Sequence, residues 1–242
     1  MKIYKFKNFT KKEEIDYFYQ IVFDKTMWCA KPDSLNDHAE FKFELDYRES
    51  ENTIHLLADI NEKHIKSSPY LTAHYALKSK SLQKRAEPVI RELIVNLKND
   101  LGIASFTLTN QENHLWNMYG GKGNGACIVI EIPDDVVNQK YHIVNYVQKK
   151  KFHVDEFFEA NLSSGSKGEF MRKILTTKHI HWSREKEIRF ISDGQCKNVP
   201  MVNAQISEII FGARIPKDTL LGVKASIIDH CNKNKIKLTI SQ

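Results

Sequence analysis

The sequence lacks several features that would assign its class directly. It has four cysteines in 242 residues and no Cys-x-x-Cys pair, so neither a zinc ribbon nor a redox switch is expected. It has no run of about 18 apolar residues that could span a bilayer. Its first residues, MKIYKFKNFTKKEE, lack the apolar core of a secretory signal. We therefore expect a cytoplasmic protein with reduced thiols and no membrane partner.

Charge is present in excess of one sign. The net charge is +6, and residues 1–60 carry nine basic and twelve acidic side chains, so the remaining 182 residues carry nine more basic than acidic ones. A surplus of this kind favours polyanionic partners, although many basic proteins never contact nucleic acid. Nucleic acid or nucleotide contact therefore stays an open alternative at this stage.

The order of periodic segments predicts an α+β fold. KIYKF alternates as a strand does, Thr10 is a candidate N-cap for the helix that follows, and residues 40–99 form a largely helical insert. The last helix of this insert is expected to place Val89, Ile90, Leu93, Ile94 and Leu97 on one apolar face. The strand-like segments after the insert include GIASFTL, the fully apolar ACIVIEI, YHIVNYV, EKEIRFIS, ISEIIFG and IKLTI. A strict βα repeat is absent, so we predict one domain over residues 1–242 with a mixed, mainly antiparallel sheet.

Two segments suggest ligand binding but have simpler explanations. GGKGNG at positions 120–125 holds four of the ten glycines, yet it matches neither a Walker A loop nor a dinucleotide fingerprint, and a helix end that runs into a strand explains it. Trp116 and Tyr119 stand three residues apart on the preceding helix, where aromatic side chains usually pack inward. A ligand platform is the alternative.

Histidines and lysines supply two further candidates. His179 and His181 alternate and would point the same way on a strand, but no third metal ligand stands at a suitable spacing. The lysines that follow YHIVNYV could form a solvated strand end or contact phosphate. The residues expected to bind nucleic acid are Lys149, Lys150, Lys151 and Arg172.

The segment HWSREKEIRF, residues 181–190, has the most unusual charge pattern. On a strand, Glu185, Glu187 and Arg189 would project to one face, where adjacent like charges are unfavourable unless a cation or a substrate hydroxyl offsets them. Two interpretations stay open: a carboxylate held in a cleft, or alternating charges on an exposed edge strand.

The ordered motifs of the chain resemble an uncharacterised bacterial family, domain of unknown function 2971. The motifs are Ile-Tyr-Lys-Phe near the N-terminus, Leu35-Asn36-Asp37 with Glu40, Ser105-Phe106-Thr107, Leu-Trp-x-x-Tyr followed by Gly125-Ala126-Cys127-Ile128, Val-x-x-Val-x-Tyr ending at Tyr146, and Trp182-x-x-Glu-x-Glu-x-Arg189. The resemblance extends over nearly the whole chain and implies no activity.

The order of Lys5, residues 105–107 and Glu185-Lys186-Glu187 also resembles ADP-ribosyltransferases. This second resemblance implies a split sheet and NAD as a substrate, with no metal. It places Glu187 at the ribose next to nicotinamide, where a carboxylate stabilises an oxocarbenium-like state. Glu185 is then expected to orient the acceptor. It also implies that Tyr119 stacks on the nicotinamide ring. The residues expected to bind NAD are Tyr4, Lys5, Ser105, Thr107, Trp116, Tyr119 and Arg189.

The function expected from this second resemblance is NAD-dependent ADP-ribosyl transfer, with nucleic acid as the favoured acceptor. Such a protein would act as an intracellular toxin or phage-defence effector and could have an antitoxin or inhibitor protein as a partner. One alternative is a metal-dependent nuclease or nucleic-acid-binding protein in which Glu185, Glu187 and the histidines hold a divalent cation. The other alternative is a non-catalytic interaction module.

Overall fold

The structure is a computed structural model, and it describes residues 1–37, 39–48, 50–54, 57, 80–157 and 166–242. The strands are β1 Lys2–Asn8, β2 Thr26–Cys29, β3 Glu44–Asp46, β4 Leu101–Thr107, β5 Gly125–Glu131, β6 Tyr141–Ile143, β7 Asn145–Val147, β8 Lys151–His153, β9 Thr177–His179, β10 Glu187–Asp193, β11 Lys197–Pro200, β12 Gln205–Phe211 and β13 Thr239–Ser241. The helices are α1 Lys12–Val22, α2 Lys80–Asn99, α3 Asn113–Met118, α4 Asp134–Lys140, α5 Ser166–Leu175 and α6 Lys217–Asn234, and short 3-10 helices span Pro32–Ser34, Gly121–Gly123 and Ile180–Glu185. In this part of the chain, no helix combines the length and the apolar character needed to cross a bilayer.

The chain divides into two compact units, each built from separate segments. Unit 1 comprises Met1–Ala30, Gly102–Val144 and His181–Gln242, and unit 2 comprises Lys31–Leu101 and Asn145–Ile180. The assignment of residues 1–242 to a single domain stays a prediction.

Unit 1 contains a seven-stranded sheet in the order β13-β12-β5-β1-β4-β10-β6. The interior strand β5 is buried along almost its whole length, and β1 and β12 pair with it on either side, both antiparallel. At one end of the sheet β12 and β13 pair in parallel. The predicted α+β fold with a mixed, mainly antiparallel sheet is therefore confirmed.

The main core of unit 1 lies on one face of this sheet. Apolar side chains from alternate positions of the strands pack there with the inner faces of α1 and α6, which bury Phe18, Ile21, Val22, Val223 and Ile227. The strand members include Ile3, Ala104, Phe106, Ile128, Ile130, Tyr141, Ile188 and Ile209. Because side chains alternate along a strand, the residues next to these core residues in each strand face the opposite side of the sheet.

Unit 2 contains two short parallel pairs, β3 with β8 and β7 with β9, together with α2 and α5. The predicted helical insert at 40–99 is thus only partly helical in its described residues, because β3 lies within it. Pro88 lies inside a continuous α2. That helix buries Ala86, Ile90 and Ile94.

Three local predictions were wrong. Thr10 does not cap α1: its backbone N–H donates to the Asn8 side chain, and the helix starts after Lys11 without a side-chain cap. Val89 and Leu93 do not share the buried face of α2, since they are 40% and 43% exposed. The segment YHIVNYV is two strands, β6 in unit 1 and β7 in unit 2, because the chain leaves one sheet at Val144.

Candidate functional site

An almost fully buried ion pair joins Glu187 and Arg189 in unit 1. Nε of Arg189 donates to Oε1 of Glu187 at 2.7 Å, and a terminal nitrogen donates to Oε2 at 3.0 Å. The exposed fractions of the two residues are 5% and 1%. Two residues apart on β10, they share one face, as predicted, and the bidentate geometry fits the guanidinium fork to the carboxylate. The interpretation as an exposed edge strand is wrong, since β10 lies between β4 and β6.

The neighbouring strand β4 places hydroxyl groups beside this pair. The N–H of Leu108 donates to the Lys186 carbonyl at 2.9 Å at one end of the two strands, and Ser192 Oγ lies 3.5 Å from the Gly102 carbonyl oxygen at the other. The two strands therefore run antiparallel, with Thr107 opposite Glu187 and Ser105 opposite Arg189.

The outer strands extend these two pairs into rows across the sheet. Tyr4 of β1 lies directly opposite Thr107, and His142 of β6 lies directly opposite Arg189. One row is therefore Tyr4, Thr107 and Glu187, and the next row is Phe6, Ser105, Arg189 and His142. Adjacent members of a row stand on strands about 4.8 Å apart. We call this surface, which faces away from the main core, the polar face of the sheet.

Glu185 reaches the same region from a different element. It ends the 3-10 helix Ile180–Glu185, and β10 begins only at Glu187 after Lys186 adopts a left-handed backbone with φ of 44°. The prediction that Glu185 and Glu187 alternate on one strand is therefore wrong. The Tyr119 hydroxyl donates to Oε1 of Glu185 at 2.5 Å, and the Thr107 hydroxyl donates to the Glu185 carbonyl at 2.6 Å. Glu185 is 3% exposed.

Helix α3 covers the part of the polar face formed by β1 and β5. Leu115 of this helix packs with Phe6 and Cys127, and Tyr4, Trp116 and Tyr119 lie against that cluster. Trp116 meets Phe6 edge to face with ring centroids 4.9 Å apart, and its indole N–H donates to the Asn110 carbonyl at 3.2 Å. The two aromatic residues therefore pack inward, and both are half-buried. The roles of Trp116 and Tyr119 in binding NAD stay predictions.

Lys5 projects to the opposite face. It lies between Tyr4 and Phe6 on β1, and its ammonium lies 5.3 Å from the ring centroid of Phe106, a residue of the main core. Its Nζ donates to the Ser105 carbonyl at 2.6 Å. Desolvation by burial and then the nearby Lys7 charge lower the pKa of Lys5 to about 7. The structure thus places Tyr4, Ser105, Thr107, Glu187 and Arg189 on one face but does not bring Lys5 to it.

His142 is a residue of the polar face that the sequence prediction missed. Its strand neighbour Tyr141 packs in the main core, so His142 points to the other side and lies opposite Arg189. It is half-buried on the edge strand of the sheet. Alternation within Tyr141-His142-Ile143 was visible in the sequence, but the pairing of β6 with β10 was not.

The glycine-rich segment at 120–125 connects α3 to β5, as its simpler explanation predicted. Gly121 and Gly123 have φ of 60° and 88°, and a Cβ at Gly125 would lie 2.1 Å from the Lys7 carbonyl oxygen. Backbone bonds join this segment to its neighbours, including Phe9 N–H to the Asn124 carbonyl and Arg214 N–H to the Gly123 carbonyl. Close backbone approach therefore accounts for the glycines.

The predicted histidine pair is divided between two elements. His179 ends β9 in unit 2, whereas His181 lies in the following 3-10 helix in unit 1, so the prediction that they alternate on one strand is wrong. Within the described ranges, no group of three or more His, Cys, Asp or Glu side chains is arranged to hold a metal ion.

The basic residues predicted to bind nucleic acid differ in their surroundings within unit 2. Lys150 is buried, and its Nζ donates to the carbonyls of Ala39 and Glu40, each at 2.5 Å. The prediction that Lys150 contacts phosphate is therefore wrong. Lys149 is exposed, Lys151 pairs with Asp46 at 2.9 Å, and exposed Arg172 donates to the Gly168 carbonyl at 3.0 Å.

Comparison with known proteins supports one of the two resemblances. No curated protein and no solved structure matches the chain, and the resemblance to ADP-ribosyltransferases is not shown. The model of a family described as Protein of unknown function (DUF2971) matches residues 115–190, a segment that contains Trp116, Tyr119, His142 and the Glu187–Arg189 pair. Over residues 115–190 the chain therefore matches domain of unknown function 2971, which confirms that resemblance for this segment, while its extension to the other motifs stays a prediction.

Proposed function

We propose that this chain uses NAD and transfers ADP-ribose, with Glu187 at the ribose carbon where the bond breaks. The supporting observation is that two carboxylates are buried beside the same sheet face, Glu187 paired with Arg189 and Glu185 bonded to Tyr119. Burying two carboxylates is costly, and a buried ion pair is often no more stabilising than an apolar pair of the same volume. Such groups favour a chemical role over a purely structural one.

The reaction places specific demands on these side chains. The bond between ribose C1′ and the nicotinamide nitrogen breaks, and its electron pair leaves with nicotinamide. An acceptor oxygen or nitrogen then bonds to C1′ and loses its proton. Positive charge develops at C1′ in between, and a preorganised carboxylate stabilises it. Arg189 fixes the position of the Glu187 carboxylate, and the hydroxyls of Tyr4 and Ser105 are suited to ribose and amide groups. The expected role of Thr107 becomes a positioning one, since its hydroxyl donates to the Glu185 carbonyl.

Glu185 has the second role in this proposal. Its carboxylate accepts a short charge-assisted bond from Tyr119, and that contact gives Tyr119 a positioning role alongside its expected stacking on nicotinamide. Glu185 orients the acceptor nucleophile. Lys5 has no place in this arrangement, since its ammonium lies over Phe106 on the other face.

Nucleic acid is the proposed acceptor, on the basis of the +6 net charge and the basic surplus after residue 60. We propose a cytoplasmic toxin or phage-defence effector that an antitoxin or inhibitor protein restrains. Exposed Lys149 and Arg172 are the basic residues best suited to phosphate contact, and Lys151 contributes after release from Asp46.

The test is to incubate the purified protein with labelled NAD and cell extract, and then to treat the product with nuclease or protease. We expect nuclease-sensitive label and free nicotinamide. Glu187→Gln should retain NAD binding while turnover falls by a factor on the order of a hundred to a thousand, the loss typical of one electrostatic group. Glu185→Gln should impair transfer more than NAD hydrolysis. Variant rates are compared at equal folded fractions.

Three results would redirect or refute the assignment. Nucleic acid cleavage that EDTA abolishes, without release of nicotinamide, would support the metal-dependent nuclease instead. Near-wild-type NAD consumption by both glutamine variants would refute the chemistry. Absence of NAD consumption by the wild-type protein, with no cleavage either, would leave the interaction module as the stronger alternative.

A further inference from the structure

One end of the unit 1 sheet combines an open strand edge with an exposed apolar helix face. Strand β13, Thr239–Ser241, is the last strand of the sheet and pairs in parallel with β12 on one side only. Its other edge faces no strand among the described residues. The unpaired N–H and C=O groups of an edge strand can bond to an added strand.

Helix α6 carries apolar residues on two faces. Val223 and Ile227 pack into the main core, whereas Leu221 and Ile228 are 56% and 50% exposed. Leu221 and Ile228 are seven residues apart and therefore share the outward face of the helix. Burial in the core accounts for only one of the two apolar faces.

A groove of about 430 Å³ lies between the end of α6 and β13. Its apolar lining includes Ile228 and Cys231 from the helix and Ile236, Leu238 and Ile240 from the segment that returns to the sheet. The groove is open to solvent and has both apolar and polar lining. It therefore provides room for apolar side chains beside the free strand edge.

Basic side chains lie at the groove and next to it in the sequence. Lys237 lines the groove, Lys233 and Lys235 stand within four residues of it in the chain, and all three are exposed. Lys233 pairs with Asp229 at 2.7 Å, whereas no acidic group is recorded within salt-bridge distance of Lys235 or Lys237 in the described part of the chain. Glu208 is bonded to Ser241 at 2.7 Å on the β12 side. The charge at the rim favours an acidic occupant.

We infer that β13 and this groove dock an extended acidic segment of a partner protein. The segment adds a strand to the free edge of β13, inserts an apolar side chain between Ile228 and Ile240, and places carboxylates near Lys235 and Lys237. Main-chain bonds supply affinity, while the groove and the lysines supply selectivity. This surface lies at the opposite end of the sheet order from β6 and His142, and the inference does not depend on the proposed activity.

The test uses the full chain and two synthetic peptides of the same apolar pattern, one alternating with Glu and one with Lys. Backbone amide shifts identify the binding site by NMR, and fluorescence anisotropy gives the affinity. We expect the Glu peptide to shift the amides of Thr239–Ser241 and to bind at least tenfold more tightly than the Lys peptide. The double substitution K235E/K237E and the single substitution I228D should each weaken binding at least tenfold.

K11E/K12E is the matched control, because it reverses two exposed lysines at the start of α1; its affinity should stay within twofold of wild type. Thermal unfolding of I228D should match wild type, since Ile228 is half exposed. Four results would each overturn the inference: no binding of the Glu peptide, equal binding of both peptides, largest shifts at Tyr141–Ile143, or tighter binding of single-stranded oligonucleotides through the same lysines. A concentration-dependent dimer that I228D dissociates would overturn it in favour of a second copy of this chain.

Discussion

Glu187→Gln should destabilise the protein, because it removes one charge from a pair that is almost fully buried. The pair is joined by bonds of 2.7 and 3.0 Å, and Arg189 is 1% exposed. Removing one member of a buried pair costs about 3–5 kcal/mol, since the remaining charge stays in a low-dielectric environment. Glutamine keeps the length and one acceptor oxygen, so we expect a loss of about 2–4 kcal/mol. That is a substantial part of the roughly 5–15 kcal/mol of a typical domain.

Urea denaturation of four proteins measures this loss: wild type, Glu187→Gln, Arg189→Met and the double variant. The double variant should lose about 1–3 kcal/mol less than the sum of the single losses, because the second substitution removes the charge that the first left behind. Glu112→Gln is the control. Its carboxylate meets Lys186 at 3.2 Å near the surface, and the loss should stay below about 0.5 kcal/mol. A loss below about 1 kcal/mol for Glu187→Gln, with additive single losses, would refute the burial and pairing on which the site is built.

Three further predictions concern other parts of the molecule. Burial lowers the pKa of Lys5 from 10.5 to about 7, so between these pH values the unfolded chain holds a proton that the folded chain lacks. The unfolding free energy should therefore rise with pH from about 7 to 10.5, and Lys5→Met should reduce that slope. An unchanged slope in the variant would contradict the desolvation of Lys5. Gly125→Ala should lower the unfolding free energy measured by urea denaturation by several kcal/mol, because its Cβ would lie 2.1 Å from the Lys7 carbonyl oxygen. The control Gly222→Ala should raise it by about 0.4–1 kcal/mol, since beyond its chain neighbours and its own helix backbone no atom lies within 4 Å of the added Cβ. Equal effects of the two substitutions would contradict the close approach at Gly125. Lys150→Ala should lower the unfolding free energy by about 1–3 kcal/mol, because it leaves two buried carbonyls without their donor. Lys149→Ala should change it by less than about 0.5 kcal/mol and should reduce the salt dependence of nucleic acid binding. The reverse pattern would contradict the burial of Lys150.

The parts of the fold that the sequence predicted well are those with a strong local pattern. The run ACIVIEI indicated a strand buried on both faces, and β5 lies inside the sheet between β1 and β12. The two-residue period placed Glu187 and Arg189 on one face, and their side chains are bonded there. Both inferences needed only the alternation of a strand and the distribution of apolar residues.

The wrong predictions depended on long-range geometry. No local pattern shows that Lys186 adopts a left-handed backbone, which a non-glycine residue seldom does, so Glu185 was placed on the strand. YHIVNYV has strand propensity throughout, but the chain passes from unit 1 to unit 2 after Val144. Lys150 was placed at the surface by its residue type, whereas two backbone carbonyls satisfy its ammonium in the interior.

The order of strands in the sheet explains why the candidate site could not be assembled from motifs alone. β4, β10 and β6 are neighbours in the sheet, although β6 precedes β10 by more than forty residues in the sequence and the Asn145–Ile180 segment of unit 2 comes between them. His142 joins Arg189 only through that pairing. The family match at 115–190 includes Tyr119, Glu187 and Arg189. It contains neither of the strands that supply the Tyr4, Ser105 and Thr107 hydroxyls, since β1 and β4 both precede residue 115. The carboxylates and the hydroxyls therefore come from separate parts of the sequence, and only the folded sheet of unit 1 brings them to one face.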